Sequence, residues 1–535
     1  MLSYRKLAMR VLGHPLHTGG IDSPRPASQR AAAFILTAAM LTTLAAPAFA
    51  DIWHIENGDI TISAGESGNN VTQNNNTTYG DTNTIITNQN KDTASSHTVT
   101  IEAKDKDDKV EVTLKDVNID TSSRNKAAVS VTGEGDTNIK LDGDNALKSD
   151  IYRSGIYGSG SLTISGGEND SLTAQGGSGA NGISSSGSLT ISGGTVTANG
   201  DDGGRGISSS GSVTISGGST VTANGGSGTI SGGDGIWSGG GVTISGGSPV
   251  TANGGNGGSL VGGSGISNGG SLTVSDGTVT AKGGNGDSKD GYGGDGIRSG
   301  GVVTISGNTV NAAGGYGGKV GGYGICSFDR VAISGGTVEA AGGNGSTGGG
   351  SGIYSSVIDL SGSLELTAKA GSPNGKALSQ KGSELVLDTI KDKLGPGAKV
   401  TATDADGKVI DQVSTPRPVE PEESSSSSDG GSAAPSAPAS PLPGLTVTDK
   451  DGQRISYTST QSGNTLTVCV GRLTASFRIS LAALRQLRAE GIETITFQTI
   501  LCSTTLSVDE LLAMGGEDAE AVLTHRFTDS SLTVG

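Results

Sequence analysis

The chain of 535 residues contains three cysteines, and only 3% of its residues are aromatic. So few cysteines exclude a disulfide scaffold as the main source of stability, because disulfide-stabilised domains are dense in cysteine. So few aromatic side chains exclude a large aromatic core. The apolar residues must therefore be small or branched, and a repeated fold buries such residues without a single globular core.

Long apolar segments are also scarce, and the one of note lies near the N-terminus. The run Ala31–Leu44 follows several basic residues and is followed by Ala48-Phe49-Ala50, the pattern of a cleaved export signal. A permanent membrane anchor fits less well because the run is too short to span a bilayer. We therefore expect residues 1–50 to be a signal peptide. The mature protein would be secreted or extracellular, free or associated with the cell surface, with no membrane span after cleavage.

Positive charge is in deficit, since 36 Lys and Arg face 52 Asp and Glu, for a net charge of −16. This balance disfavours nucleic acid and anionic lipid as partners. The five histidines are scattered, so we expect no metal site and no cofactor. The alternative is Ca²⁺ held by Asp287, Asp290 and Asp295, which share one loop but lack the spacing of known calcium-binding repeats.

Glycine, in contrast, is abundant, with 93 residues, and much of it belongs to a repeat. From residue 154 onward a unit of about 28 residues recurs, reading G-I, then L-T-I-S-G-G, then V-T-A, then a glycine-rich loop. The Gly-Ile pairs of the copies begin at Gly155, Gly182, Gly206, Gly235, Gly265, Gly296, Gly324 and Gly352.

Alternation within the repeat predicts the fold. Leu189 and Ile191 would point inward and Thr190 outward, as in a strand with one buried face. One unit alone cannot bury its apolar residues, but stacked units can. The sequence therefore predicts an all-β, right-handed parallel β-helix solenoid. Residues 51–153 would form N-terminal coils and a cap, and residues 154–412 about eight repeat coils and the closing coils.

Composition changes again after the repeats. Residues 413–444 are rich in Pro and Ser and predict a disordered linker. Residues 445–535 predict a small α+β domain, with one helix that begins after Ser480 and ends at Gly491 and a second that begins after Ser507. Cys469 and Cys502 both lie in this domain, and the sequence leaves open whether they form a disulfide.

The residue after each Gly-Ile pair is the best candidate for a ligand contact, since the isoleucine points inward and its successor outward. This column reads Tyr157, Ser184, Ser208, Trp237, Ser267, Arg298, Cys326 and Tyr354. Exposed aromatic rings can stack on a sugar, and Tyr323 lies in a nearby loop. We expect Tyr157, Trp237, Arg298, Tyr323 and Tyr354 to bind ligand, and we predict no catalytic residue. The alternative is that these are isolated surface residues.

An enzymatic site has weaker support in the sequence. Asp234 and Asp295 precede Gly-Ile pairs two coils apart, about 10 Å by strand spacing. That is slightly beyond the separation of roughly 6.5–9.5 Å typical of inverting glycosidases. Both aspartates also suit exposed turns, and neither has a sequence neighbour that would shift its pKa. The arginines of the repeats, Arg205, Arg298 and Arg330, are expected in loops and far apart, which disfavours an enzyme.

The unit G-I…L-T-I-S-G-G-T-V-T-A-x-G-G, with Val110–Asp120 and Ile139–Lys148 before it, resembles secreted bacterial proteins labelled "carbohydrate-binding domain-containing". The resemblance covers roughly residues 51–380. It implies a β-helix similar in architecture to pectate lyases and surface adhesins, and a polysaccharide or a host or cell-surface glycan as partner. It carries over no catalytic residue. The expected function is therefore a non-catalytic, carbohydrate-binding or adhesin-like one. The alternatives are a β-helix polysaccharide lyase or glycoside hydrolase, and a structural surface spacer.

Overall fold

The computed structural model describes residues 51–416 and 444–534, the latter with gaps at 450–453, 456, 463, 471–473, 500–502, 517–518 and 526–529. The described residues fall into two compact units, one on each side of residues 417–443. The predicted signal peptide and most of the predicted linker lie outside the described residues.

The first unit is the predicted parallel β-helix. Each coil adds one strand to each of three parallel sheets, and equivalent residues of adjacent coils are paired. Ile183 pairs with Ile207, for example, and Ile207 with Ile236. These isoleucines are fully buried, and so are the inward residues of the other two sheets. The ladders of Ile, Leu, Val and Ala predicted from the alternation therefore form the core.

We name the sheets after the repeat segments that form them. The G-I sheet contains Ile60–Gly65, Val99–Glu102, Val129–Thr132, Ile156–Gly158, Ile183–Ser185, Ile207–Ser209, Ile236–Ser238, Ile266–Asn268, Ile297–Ser299 and Leu378–Gln380. The L-T-I sheet contains Lys109–Lys115, Asp136–Asp142, Ser161–Ser165, Leu189–Ile191, Val213–Ile215, Val242–Ile244, Leu272–Val274 and Val303–Ile305, extended by Ile52–His54 and Ile85–Thr87. The V-T-A sheet contains Asn118–Asp120, Asp144–Lys148, Ser171–Ser178, Thr195–Asp201, Thr220–Asn224, Ser248–Asn253, Gly277–Lys282, Thr309–Ala313 and Lys399–Thr403. Two long strands, Ile325–Ala341 and Ile353–Lys369, pass through all three sheets.

The glycine-rich segment between the V-T-A strand and the next G-I strand is ordered rather than a loose loop. Here the Gly263 N–H donates to the Gly255 carbonyl, and the Gly255 N–H donates to the Gly233 carbonyl. A Cβ on Gly263 would lie 1.9 Å from the Gly233 oxygen, so no other residue fits. We call this backbone-to-backbone stack the glycine wall. It comprises Gly204, Gly226, Gly233, Gly255, Gly263, Gly284, Gly294, Gly315, Gly322, Gly343, Gly350 and Gly371.

Antiparallel strands cover the two ends of the β-helix. Gly68–Gln73 and Asn76–Asp81 fold back on the first G-I strand. At the other end Val409–Ser414 pairs antiparallel with Lys399–Thr403, so the β-helix extends slightly beyond the predicted boundary at residue 412. A short antiparallel strand, Ser383–Glu384, and two 3-10 segments, Ile55–Asn57 and Leu387–Lys393, complete this unit. Among the described residues, no helix is long and apolar enough to cross a membrane.

The second unit contains two four-stranded sheets and two helices. One sheet consists of Leu445–Thr448, Ala475–Ser480, Glu520–His525 and Ser530–Val534, and the other of Thr458–Ser462, Thr465–Cys469, Thr494–Gln498 and Ser503–Ser507. The helices are Leu481–Ala489 and Val508–Ala513, and the hydroxyls of Ser480 and Ser507 accept hydrogen bonds from N–H groups of their first turns, as predicted. The last two strands of the first sheet and Ser503–Ser507 were not predicted. Cys469 is a free thiol, and Cys502 lies outside the described residues.

Candidate functional site

The outward residues of the G-I sheet form one ladder. Tyr157 pairs with Ser184, and the pairing continues in register through Ser208, Trp237, Ser267, Arg298, Cys326 and Tyr354. The same ladder continues from Tyr157 towards the N-terminus through Ser130 and Thr100. The structure therefore places four of the five predicted ligand-binding residues in one column, and the fifth, Tyr323, beside its far end.

The aromatic residues at the C-terminal end of this column cover one another. The rings of Tyr323 and Tyr354 are stacked, with centroids 4.9 Å apart. Cys326 lies between the ladder neighbours Arg298 and Tyr354 and is 1% exposed. Burial, followed by the charge of Asp295, raises the pKa of the Cys326 thiol to about 12. This thiol stays protonated at neutral pH and is a poor nucleophile.

Asp234 links two coils. One of its carboxylate oxygens accepts the N–H of Ser264 in the next coil at 2.8 Å, and the other lies 3.4 Å from Nε of Arg205. The Arg205 guanidinium in turn lies 4.3 Å from the centroid of the Trp237 ring. One face of the only tryptophan in the repeats is therefore covered by a cation of the protein itself.

Asp295, two coils further on, also contacts the next coil, but its arginine belongs to its own coil. Its Oδ1 accepts the N–H of Tyr323 at 2.7 Å, and its Oδ2 accepts a hydrogen bond from Arg298 at 3.2 Å. The Arg298 guanidinium lies 5.1 Å from the Phe328 ring. Asp295 is 5% exposed.

Two expectations, one about these aspartates and one about the arginines of the repeats, were wrong. Burial raises the pKa of Asp234 and of Asp295, whereas the sequence indicated exposed turn residues without a shift. Arg298 and Arg330, which were expected in loops, both lie within strands, and Arg205 and Arg298 each pair with one of these aspartates. The physical reason is that the residues before and after a Gly-Ile pair lie side by side on the same sheet. Arg205 therefore meets Asp234 and Trp237 of the next coil, whereas Arg298 meets Asp295 of its own coil.

Tyr157, near the N-terminal end of the column, is free of such cover. It is 44% exposed. Among the described residues, it takes part in none of the ring–ring or cation–ring contacts that involve the other aromatic residues of the column. Its ladder neighbours are the small residues Ser130 and Ser184. The ring therefore stands in a groove of about 690 Å³ on the outward face of the G-I sheet.

Residues from four successive coils form the groove. Thr100, Ser130, Tyr157 and Ser184 lie on its floor, as their place in the ladder requires. The side chains at its edge come from the segments that lead into the G-I strands. They are Asn125, Lys126, Tyr152, Arg153 and Asn181.

Tyr152 lies at the edge of the groove, and sequence reasoning missed it. It is 78% exposed and has a φ of +59°, in the left-handed region that favours glycine. The equivalent position of the preceding coil is Asn125, with a φ of +53°, and that of the following coil is Gly179, with a φ of +76°. A Cβ on Gly179 would lie 2.9 Å from the Tyr152 ring, so the glycine makes room for the tyrosine. A large aromatic residue at φ > 0 is rare and strained.

The structure does not bring the three aspartates of the possible Ca²⁺ site together. The oxygens of Asp295 are engaged by Tyr323 N–H and Arg298, whereas Asp287 and Asp290 are on the exposed surface. Across the part of the chain that the structure describes, no group of three or more His, Cys, Asp or Glu is placed to hold a metal ion.

No protein-family model, no curated protein and no solved structure matches the chain. The fold and the groove are therefore the only basis for a functional argument.

Proposed function

We propose that the chain is a secreted or cell-surface protein of the adhesin-like class that binds carbohydrate through the groove around Tyr157. The observation that carries the proposal is the placement of two exposed tyrosine rings, Tyr157 on the floor and Tyr152 at the edge, in one groove whose other lining residues are mostly polar. Binding sites for small ligands combine a few apolar or aromatic surfaces with convergent polar groups in this way. A sugar offers both, with C–H faces that contact a ring and hydroxyls that form hydrogen bonds.

The dimensions of the groove suit a short oligosaccharide. Its floor runs over four coils, from Thr100 to Ser184, which is about 14 Å at the spacing of adjacent strands. The β-helix holds this floor rigid, because every floor residue belongs to a strand paired on both sides. A rigid, preformed site loses little entropy on binding.

The backbone of Tyr152 adds support. A non-glycine residue held in a sparsely populated region destabilises the fold by on the order of 1–3 kcal/mol, and such residues cluster at functional sites. The next coil has Gly179 at the same position, so the fold does not require a tyrosine there. A ligand contact explains why a large aromatic residue stands at this position.

The proposal is tested with the full chain on a broad glycan array, followed by titration calorimetry on the best ligand. We expect Tyr157→Ala to weaken binding at least about tenfold, the equivalent of about 1.4 kcal/mol, because it removes the ring on the floor. Tyr79→Ala is the matched control, since Tyr79 is 77% exposed on the antiparallel strand Asn76–Asp81 and is not part of the groove. Equal affinity of both variants, or no binding to any glycan, would contradict the proposal.

A polysaccharide-cleaving enzyme is the second candidate, and the gathering of Asp234, Asp295 and two arginines on the same sheet favours it. Its weakness is that all four carboxylate oxygens are already engaged by protein groups. Assaying the ligands from the array for new reducing ends, with Asp295→Asn as comparison, distinguishes it from binding alone. Turnover that the variant loses would favour the enzyme.

A further inference from the structure

We infer that the groove around Tyr157 selects sugars that carry a carboxylate, such as uronic or sialic acids. This inference rests on the proposed carbohydrate-binding function and names its substrate class. The charges that line the groove are positive, whereas the net charge of the chain is negative.

The groove lining contains two cationic side chains, Lys126 and Arg153, and no carboxylate. Among the described residues, Arg153 forms no ion pair; its Nε donates to the Asn125 side-chain oxygen at 3.3 Å. That bond fixes the guanidinium and leaves its terminal nitrogens available. A guanidinium with two free nitrogens binds a carboxylate in the bidentate manner.

The nearest aspartate along the chain does not neutralise Arg153. One carboxylate oxygen of Asp150 accepts the N–H of Asn125 at 2.5 Å, and the other accepts its neighbour Ile151 N–H at 2.7 Å. Asp150 thus serves to hold the turn that carries Asn125. Its negative charge remains close, but both of its oxygens are occupied.

Lys126 belongs to a cluster with excess positive charge. Asp59 lies 2.9 Å from the Lys126 nitrogen and 2.7 Å from Arg124, so one carboxylate serves two cations. Burial alone would raise the pKa of Asp59. The hydrogen bonds from Arg124, Lys126, Thr98 N–H and His97 outweigh this effect and hold its pKa well below the usual range. Asp59 is therefore fully ionised at neutral pH.

The charge balance at the groove is positive. Lys126 and Arg153 contribute two positive charges to its lining, which contains no carboxylate, and Lys126 is paired with Asp59, in a chain with a net charge of −16. The rest of the chain repels an acidic polysaccharide at long range, with a strength that depends on salt. A local positive site with a guanidinium that forms no ion pair among the described residues attracts the carboxylate of such a ligand. A neutral sugar gains no binding energy from this charge.

The test measures the affinity of the full chain for two acidic probes and their neutral counterparts. Sialyllactose is compared with lactose, and a hyaluronan hexasaccharide with its carboxyl-reduced form, so the two arms separate a terminal acid from an acid within a chain. We expect at least one acidic probe to bind about tenfold or more tightly than its neutral counterpart. Arg153→Gln should abolish this preference. Arg153→Lys, which keeps the charge but loses the bidentate geometry, should retain part of it.

Arg330→Gln is the matched control. Arg330 is an exposed arginine in the strand Ile325–Ala341 and does not line the groove, and its replacement changes the net charge by the same amount. It should leave the preference intact. Equal binding of acidic and neutral probes would overturn the carboxylate inference and leave the carbohydrate proposal standing. Absence of binding to all four probes and to the whole array would overturn both.

Discussion

At the residue before three of the Gly-Ile pairs, a side-chain oxygen joins one coil to the next. Asn181 accepts the backbone N–H of Arg205 in this way, and Asp234 and Asp295 do the same for the residues one coil further on. The bond needs an acceptor and not a charge, since an amide performs it in the first case. The two aspartates thus have a structural role that requires neither catalysis nor metal.

This role predicts the effect of Asp295→Asn. The amide keeps the bond to Tyr323 N–H and removes a buried carboxylate whose pKa is raised by burial. A raised pKa means that the folded state holds the proton more tightly, so the associated stability is present at low pH and is lost as pH rises through the folded pKa. The free energy of unfolding of Asp295→Asn relative to wild type should therefore increase from about pH 4 to pH 7, given an unfolded pKa near 3.9.

Urea denaturation at several pH values measures this difference, and Asp295→Ala is the comparison. Alanine leaves the N–H of Tyr323 without its acceptor, which destabilises by about 1–3 kcal/mol for a buried group. A difference between wild type and Asp295→Asn that is constant over the pH range would show that Asp295 titrates as it does in the unfolded chain.

Among the elements, the strands of the repeat could be predicted and the glycine wall could not. The strand Leu189–Ile191 has one polar residue between two apolar ones, and this period of two identifies it. The wall residues have no side chains and hence no period. Their only signal is that glycine recurs in pairs, such as Gly254-Gly255 and Gly262-Gly263, which sequence reasoning interpreted as a loop.

The glycine wall predicts that two glycines close in sequence, Gly348 and Gly350, differ sharply in their tolerance of alanine. A Cβ on Gly350 would lie 1.8 Å from the Gly322 carbonyl oxygen, whereas one on Gly348 would meet only the Val320 methyl groups at 3.8 Å. Gly350→Ala must push two coils apart and should destabilise by about 3 kcal/mol or more, at or beyond the upper end of the range for overpacking. Gly348→Ala should change stability by less than about 1 kcal/mol, because alanine fits and restricts the unfolded chain.

Thermal unfolding followed by circular dichroism compares the two variants under the same conditions. Because the substitution is the same and the positions are two residues apart, any difference reports the local space alone. Similar melting temperatures for both would mean that the segment is a loose loop, as the sequence first indicated.

The groove shows the same limit of sequence reasoning. Its floor lies in the predicted outward column, and Tyr157 was a predicted site residue. Its edges come from the segments before the G-I strands. Asn125 and Tyr152 lie in these segments, where no alternation of apolar and polar residues marks a structure. The one available signal was that Tyr152 occupies the position that Gly179 has in the next coil. Recognising it requires an alignment with coils that lack the glycine signature of the repeat.

At the scale of the whole molecule, the two units are stabilised in different ways. The β-helix gains stability from interfaces between successive coils, so its stability increases with the number of coils. The second unit has a small core of its own, centred on Phe477 and Phe497, whose ring centroids are 4.9 Å apart. Because each unit has its own core, we expect calorimetry of the full chain to resolve two transitions.

The second unit should also carry a pH dependence of its own, through His525. This side chain is fully buried, and its Nε2 lies 3.0 Å from the Thr504 hydroxyl. Its Nδ1 has no hydrogen-bond partner among the residues that the structure describes. The Phe477 ring contacts it edge to face at 5.5 Å. Burial lowers the pKa of His525, since the charged imidazolium would lose its hydration without gaining a partner. The imidazole is therefore neutral in the folded unit.

A lowered histidine pKa makes the unfolded state the better proton acceptor, so stability falls as pH drops through the unfolded pKa of about 6.5. In calorimetry of the full chain, one of the two transitions should move to lower temperature between about pH 7.5 and pH 5.5. His525→Leu should abolish that shift whatever its effect on stability at pH 7.5, because the slope with pH depends on the titrating group alone. His97→Leu is the control, since His97 is half-exposed beside Asp59 in the β-helix. If the shift survived in His525→Leu, another group would be the origin of the pH dependence.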